Sequence, residues 1–245
     1  MNRLAKLGFN QSYTYFAWRN LKWEIEQYFT ELTQTELAEY FRPNLWPNTP
    51  DILTAQLQHG GRPTFVARLI LAATLGASYG IYGPAFELME GRAVAPGREE
   101  YLDAEKYQTR EWDIDRPDSL RAVIARVNRI RRDEPALQTD RTLRFCPVAN
   151  DNLIAYVKTA PDGGQPILTV VNLDPYFTQS GWVSVPLHEI GLDQAQSFEA
   201  HDLLTDVHYT WHGEHNYVEL DPRRVPGHVL RLRQGLPDEP LERFG

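Results

Sequence analysis

The sequence predicts two kinds of fold in succession, an α/β part over residues 1–135 and an all-β part over residues 136–245. In the first part, short β-rich runs alternate with helical stretches. In the second, short β-like runs follow one another with almost no helical periodicity. Pro135 marks the junction, because proline disfavours helical geometry in the preceding residue and a helix should therefore end near Glu134.

The first part contains three β-rich runs, each followed by a helical pattern. The β-rich runs cover residues 12–18, 41–47 and 78–83, and the helical patterns cover 21–29, 65–75 and 120–132. Repeated βα units predict a parallel sheet with crossover helices, either in a barrel or in an open doubly wound sheet. Pro43 and Pro47 argue against a middle strand that is paired on both sides. Three units are too few to form a barrel of eight strands alone, which suggests that the fold begins upstream.

The second part predicts a β-sandwich. Strands are expected at residues 143–146, 153–158, 166–172, 181–186 and 228–233, and residues 160–164 should form a hairpin turn. Several short strands at this spacing are typical of two packed antiparallel sheets.

The composition argues against nucleic-acid-binding, membrane-bound and disulfide-bonded classes of protein. The chain has 245 residues and a formal net charge of −8, which argues against nucleic acid or an anionic membrane as the main partner. The single cysteine, Cys146, cannot form an intramolecular disulfide and is expected to be a small buried side chain. The N-terminus has no apolar signal-peptide core, and no run approaches the roughly 18 apolar residues of a membrane span. A cytoplasmic protein is therefore expected. No cofactor is expected.

The first candidate site residue is Asp51. It lies in a loop between the second β-rich run and a helical segment, and in a βα barrel such loops form the catalytic rim. The alternative is structural, because aspartate at a loop-to-helix junction commonly caps the helix.

The second candidate is the pair Lys106–Tyr107, in the long loop after the third β-rich run. A lysine ammonium binds phosphate, and a tyrosine ring can cover the face of a sugar. The alternative is a solvated run of charges, which is the usual fate of such a stretch.

Other features predict no further site. His212, Glu214 and His215 are too few ligands for a metal, so no metal site is expected. The six tryptophans could include a carbohydrate platform, but core packing is the default for each.

Several motifs in order resemble one known family. They are residues 10–16 (NQSYTYF), 18–20 (WRN), 48–53 (NTPDIL), 60–63 (GGRP), 101–103 (YLD) and 105–108 (EKYQ). Together they resemble the α-1,4-glucan:maltose-1-phosphate maltosyltransferases of the α-amylase superfamily. Asn48-Thr49-Pro50-Asp51 stands where amylases commonly have Asn-His-Asp, a departure that also marks this family.

The resemblance implies the C-terminal part of a (β/α)8 TIM barrel, that is its last three βα units, followed by a C-terminal β-sandwich domain. It implies retaining transfer of maltosyl units from α-maltose 1-phosphate to α-1,4-glucans. Retention uses one carboxylate as nucleophile and a second as acid/base. Asp51 would be the third, the transition-state stabiliser, and Lys106 and Tyr107 would bind the donor. A homodimer is implied for the full-length enzyme.

The resemblance also places the nucleophile and the acid/base upstream of residue 12, and residues 1–10 contain no carboxylate. The expectation is therefore a fragment that is inactive alone. Two alternatives stay open: a non-catalytic carbohydrate-binding module, and part of another superfamily enzyme such as a trehalose synthase.

Overall fold

The computed structural model describes residues 2–235, and its elements follow the predicted change from α/β to all-β. The predicted β-part also includes residues 236–245, which lie outside the described residues. The α/β elements are α1 (Asn2–Lys6), β1 (Ser12–Tyr13), α2 (Lys22–Gln34), α3 (Leu37–Tyr40), β2 (Pro43–Leu45), α4 (Ala55–His59), α5 (Gly61–Leu75), β3 (Ser78–Tyr79), α6 (Gly83–Glu87) and α7 (Arg121–Asp133). The β-part contains β4 (Arg144–Phe145), β5 (Leu153–Lys158), β6 (Ile167–Asn172), β7 (Gln179–Ser184), β8 (Ser197–Asp202), β9 (Val207–His212), β10 (His215–Leu220) and β11 (Gly227–Arg233).

The first three strands form a parallel sheet in the order β1-β2-β3. This confirms the predicted parallel βα arrangement, whereas closure into a barrel stays a prediction. The proline argument about the middle strand was wrong, because β2 pairs on both sides. Pro43 is its first residue and pairs only with Ser12, while Asn44 and Leu45 make the pairs to β3. Pro47 lies beyond the end of the strand, so neither proline interrupts the ladder.

β1 is shorter than the seven-residue run that predicted it. It ends at Tyr13, and Phe16–Trp18 form a 3₁₀ turn. A fully buried arginine of α5, Arg68, donates hydrogen bonds to the carbonyl oxygens of Phe16 and Arg19 and stacks over the Phe16 ring at 3.9 Å. These bonds satisfy carbonyl groups that a longer strand would have paired, so the chain bends away from the sheet here.

Helix α5 is the centre of the molecule. It begins at Gly61, four residues before the predicted start, and every residue from Thr64 to Leu75 is buried. Its apolar side chains share one core with Ile154, Tyr156 and Val171 of the β-part. The α/β and all-β parts are therefore packed against each other through α5.

The β-part consists of a six-stranded antiparallel sheet in the order β4-β5-β6-β11-β8-β9 and a two-stranded sheet of β7 and β10. Side chains from both sheets, among them Val157, Val170, Val183 and Val218, form a second core between them. This facing arrangement agrees with the predicted sandwich. The boundary between residues 135 and 136 stays a prediction as a domain limit, although α7 does end at Asp133 and Glu134 is extended.

Three strands were not predicted. In β8 and β10 only every second residue is buried, and β9 has no buried residue. Their exposed positions carry His, Glu, Thr and Tyr side chains, so the apolar signal of these strands is weak. By contrast, β5 is buried at all six positions and its predicted bounds are confirmed.

The single cysteine is buried, as its sequence context predicted. Burial raises the pKa of the Cys146 thiol to about 12. Within residues 2–235, none of the helices combines the length and the apolar character that crossing a membrane requires.

Candidate functional site

The loops that follow the three parallel strands meet at the carboxyl edge of the sheet. Trp18, from the loop after β1, donates its indole N–H to Oε2 of Glu99, from the loop after β3, at 2.9 Å. The backbone N–H of Leu53, from the loop after β2, donates to the Glu99 carbonyl oxygen. Glu99 therefore joins all three loops into one rim.

Asp51 is at the tip of a tight turn on this rim. Thr49 and Ile52 exchange two backbone hydrogen bonds, each 3.1 Å long, and the Asp51 backbone N–H donates to Oγ1 of Thr49. Helix α4 begins at Ala55, and the residue at its N-cap is Thr54. Asp51 therefore does not cap this helix, and its side chain is 60% exposed.

Asn48 anchors the turn to its neighbours. Its side chain is fully buried, its Nδ2 donates to the Tyr101 hydroxyl at 2.8 Å, and its Oδ1 accepts from the Tyr82 backbone N–H at 2.9 Å. Asn48 thus holds the loops after β2 and β3 together immediately beside Asp51.

We expect Asn48→Ala to lower the free energy of unfolding by about 2 kcal/mol, because it leaves a buried hydroxyl and a backbone N–H without partners. Urea unfolding followed by circular dichroism measures this. Asn10→Ala, at an exposed position, is the control. Equal stability of the two variants would contradict the anchoring role of Asn48.

Lys106 lies opposite Asp51. Its Nζ is 2.7 Å from Oδ1 of Asp51, and the same ammonium lies 5.0 Å from the centre of the Tyr107 ring. The hydrogen bond to Asp51, followed by that to Tyr107, raises the pKa of Lys106 above its usual range. The Lys106 side chain is 43% exposed and Tyr107 is 71% exposed, so a ligand can reach all three groups.

Two clusters of polar side chains, one exposed around Glu105 and one around the buried Glu90, hold the long loop that carries Lys106. Glu105 accepts hydrogen bonds from the Tyr82 hydroxyl and the Trp112 indole, and both lower the pKa of its carboxyl. Further along, Glu90 is paired with Arg92 and Arg110. Burial opposes ionisation of Glu90, but the hydrogen bonds from these arginines outweigh it and lower the pKa to about 2.

The structure therefore brings together Asp51, Lys106 and Tyr107, the three residues that the sequence singled out. It adds Asn48 and Glu99 as the residues that position them, which the sequence analysis did not assign. Asn48 is the first residue of the motif at 48–53. The signal for its structural role was a polar residue placed among apolar and proline neighbours. Nothing in the local sequence indicates the contacts of Glu99.

The histidines considered for a metal do not form a site together. His215 bonds Ser184 and Glu214 bonds Gln194. A different group, His201, Asp206 and His208, has its donor atoms within 4.8 Å of one another. Its imidazole rings are stacked at 3.9 Å and each bonds a carboxylate, from Asp206 and Glu199. The Arg126 guanidinium lies 3.9 Å from Asp206 and opposes a further cation there, so no metal is assigned.

Comparison with known proteins gives the same family along almost the whole chain. Residues 145–232 match the family described as "GLGE, C-terminal". An α-1,4-glucan:maltose-1-phosphate maltosyltransferase from Chlorobaculum tepidum is 52% identical over 238 residues, which are 95% of this chain and 35% of that protein. The protein of the same name from Salinibacter ruber is 51% identical over 95% of this chain and 34% of its own length.

Solved structures agree at the level of the fold. A maltogenic α-amylase from Thermotoga neapolitana covers 92% of this chain and 51% of its own, with a TM-score of 0.61 and 12% identity. An α-amylase from Anoxybacillus covers 96% of this chain and 50% of its own, with a TM-score of 0.62 and 15% identity. Along about 95% of its length the chain is homologous to α-1,4-glucan:maltose-1-phosphate maltosyltransferases, and it spans about a third of the length of the relatives it matches.

Proposed function

We propose that this chain supplies one wall of an active site that transfers maltosyl units from α-maltose 1-phosphate to the non-reducing ends of α-1,4-glucans. The observation that carries the proposal is the 2.7 Å pair of Asp51 and Lys106 on an open rim, with the Tyr107 ring beside it. A carboxylate, an ammonium and an exposed aromatic ring match the three chemical parts of the donor, which are a reacting sugar carbon, a phosphate and a sugar face.

Asp51 acts on the reacting sugar. In a retaining transfer the anomeric carbon becomes oxocarbenium-like, and a fixed negative charge nearby stabilises it. The turn that carries Asp51 is held by Thr49, Ile52 and Asn48, so little reorganisation is needed when charge develops.

Lys106 acts on the phosphate. Without donor its ammonium is paired with Asp51. Arrival of the donor phosphate, with its greater negative charge, draws Lys106 away and leaves the Asp51 carboxylate free to face the sugar. Because Lys106 exchanges Asp51 for the phosphate, binding of the donor also frees the carboxylate that acts in the reaction.

Three finer parts of the proposal rest on the family resemblance, and the cytoplasmic location rests also on the single cysteine. The nucleophile and the acid/base come from protein outside this chain, and the chain alone is inactive. The parallel strands β1–β3 belong to a TIM barrel. The complete enzyme is a cytoplasmic homodimer.

Among the alternatives raised by the sequence, another superfamily activity such as trehalose synthesis is disfavoured by the relatives. Those that are about 50% identical carry the maltosyltransferase name, whereas the amylases are 12% and 15% identical. A carbohydrate-binding role is compatible with catalysis.

The test is a chimera in which this chain replaces the segment it aligns with in the Chlorobaculum tepidum protein. In that chimera, we expect Lys106→Ala to raise the KM for α-maltose 1-phosphate by about tenfold or more, because a charge-assisted contact to phosphate is lost. Release of inorganic phosphate in the presence of glycogen measures it.

Lys6→Ala removes a lysine that is not on the rim and serves as the control for overall charge. If Lys106→Ala leaves the donor KM at the value of the control, the assignment of Lys106 to the phosphate is wrong.

A further inference from the structure

The segment that carries Lys106 and Tyr107 has little structure of its own. Residues 102–108 form turns and irregular backbone between α6 and α7. The backbone N–H groups of Tyr107 and Gln108 both donate to the carbonyl oxygen of Ala104, at 2.9 and 3.1 Å. These bonds close a single turn but do not fix where that turn lies on the rim. The position of Lys106 therefore depends on contacts made from outside the segment.

Arg110 holds the first end of this segment. Its Nη1 donates to the carbonyl oxygen of Leu102 at 3.2 Å, and its Nη2 donates to Oε2 of Glu90 at 2.9 Å. The side chains of Arg110 and Glu90 are only 14% and 8% exposed, so solvent screens this ion pair little. Glu90 is fixed to α6, because its backbone N–H donates to the carbonyl oxygen of Ala85 at 2.8 Å. Arg110 thus ties the start of the segment to a helix.

The same guanidinium supports a second anchor. Its central carbon lies 3.9 Å from the centre of the Trp112 ring, in a cation–π contact. The Trp112 indole N–H donates to Oε1 of Glu105 at 3.1 Å. Since Glu105 directly precedes Lys106 in the chain, Arg110 acts on the segment at two points, directly at Leu102 and through Trp112 at Glu105.

Arg110 is itself enclosed, whereas Lys106 is open to the rim. Lys106 is 43% exposed and bonds Asp51, so a ligand on the rim meets this ammonium before it meets Arg110. The Tyr82 hydroxyl also donates to Glu105 and does so independently of Arg110. Loss of Arg110 should therefore displace the segment without releasing it from the fold.

We propose that Arg110 is a positioning residue for the donor phosphate, which sets the place of the Lys106 ammonium without touching the donor. The inference rests on the proposed function, because that function supplies the phosphate. A charge-assisted hydrogen bond needs the ammonium within about 3 Å of a phosphate oxygen. Displacing the turn by roughly 1 Å removes much of the contact although the charge on Lys106 remains.

The first test measures donor KM in the chimera described above. We expect Arg110→Met to raise the KM for α-maltose 1-phosphate about fivefold to tenfold while kcat changes less than about twofold. Arg116→Met is the matched control, because the Arg116 side chain lies in the same long loop but pairs with Asp118, outside residues 102–108. Its donor KM should stay within about twofold of the parent chimera.

A double-mutant cycle separates positioning from general support of the fold. When Arg110→Met is added to the Lys106→Ala chimera, we expect the donor KM to change by less than about twofold, since no ammonium is left to position. A merely structural role of Arg110 would raise KM by the same factor in both backgrounds.

Hydrogen exchange gives a readout that needs no activity. In peptides spanning residues 102–108 of the chimera, analysed by mass spectrometry, Arg110→Met should speed amide exchange at least about fivefold, and Arg116→Met should leave it unchanged. Unchanged exchange in Arg110→Met overturns the proposal. It is also overturned by a donor KM equal to that of the control, or by a KM effect that persists without Lys106. A parent chimera that releases no phosphate, with exchange still raised by Arg110→Met, contradicts the proposed function and leaves Arg110 as the residue that positions Lys106.

Discussion

Replacing Asp51 by asparagine in the chimera is expected to lower kcat for phosphate release from α-maltose 1-phosphate by about a thousandfold. Asparagine keeps the shape of the side chain and can still accept a hydrogen bond from Lys106, so the turn should be preserved. What is lost is the negative charge, which matters most when positive charge develops on the sugar. The donor KM should therefore change much less than kcat.

Asp113→Asn is the matched control, since Asp113 is an exposed aspartate in the long loop that follows β3. Its kcat should stay within about twofold of the parent chimera, because a solvated charge away from the reaction contributes little. Should Asp51→Asn retain more than a tenth of the parent kcat, the carboxylate does not stabilise the transition state. A large rise in KM with unchanged kcat would instead assign Asp51 to ground-state binding.

The second large effect concerns Lys158, the last residue of β5. Its ammonium is fully buried and donates to the carbonyl oxygens of Thr74 at 3.0 Å and Leu75 at 3.3 Å, at the end of α5. Burial lowers the pKa of Lys158 to about 7. In the unfolded chain a lysine titrates near pH 10.4, so between about pH 7 and pH 10 the unfolded state binds more protons than the folded state.

Stability must therefore rise with pH across this window. Relative to Lys158→Met, which lacks the titrating group, the free energy of unfolding of the wild type should rise by about 3 to 4 kcal/mol from pH 7 to pH 10. Urea unfolding of both proteins at each pH gives the difference, in which the other titrating groups cancel. Lys6→Met removes a surface lysine and should run parallel to the wild type. A wild-type profile parallel to that of Lys158→Met would show that Lys158 stays charged in the fold.

The sequence predicts an element well where its residues face apolar surroundings on all sides. β5 is an example, since both of its faces are covered, by α5 on one side and by the β7–β10 sheet on the other. It predicts poorly where one face at most is buried and exposed positions carry histidines and carboxylates, as in β8 and β10 with one buried face and β9 with none. The end of β1 could not be predicted either, because Arg68 decides it from a helix some 50 residues away.

The candidate site was also predictable only in part: the residue identities were, and their contacts were not. The identities of Asp51, Lys106 and Tyr107 could be read from motifs, and the parallel order of the strands placed their loops at one edge. The contact between Asp51 and Lys106 spans 55 residues. It depends on the buried amide of Asn48 and on Glu99, whose bonds have no local sequence pattern.

Maltosyl transfer at the rim is tested by the product distribution of the unmodified chimera, supplied with α-maltose 1-phosphate and maltohexaose and analysed by mass spectrometry. We expect products that grow only in steps of two glucose units, with one phosphate released for each step. A folded chimera that makes no longer products, or that lengthens the acceptor by single glucose units, would show that the rim built around Asp51 and Lys106 does not serve maltosyl transfer.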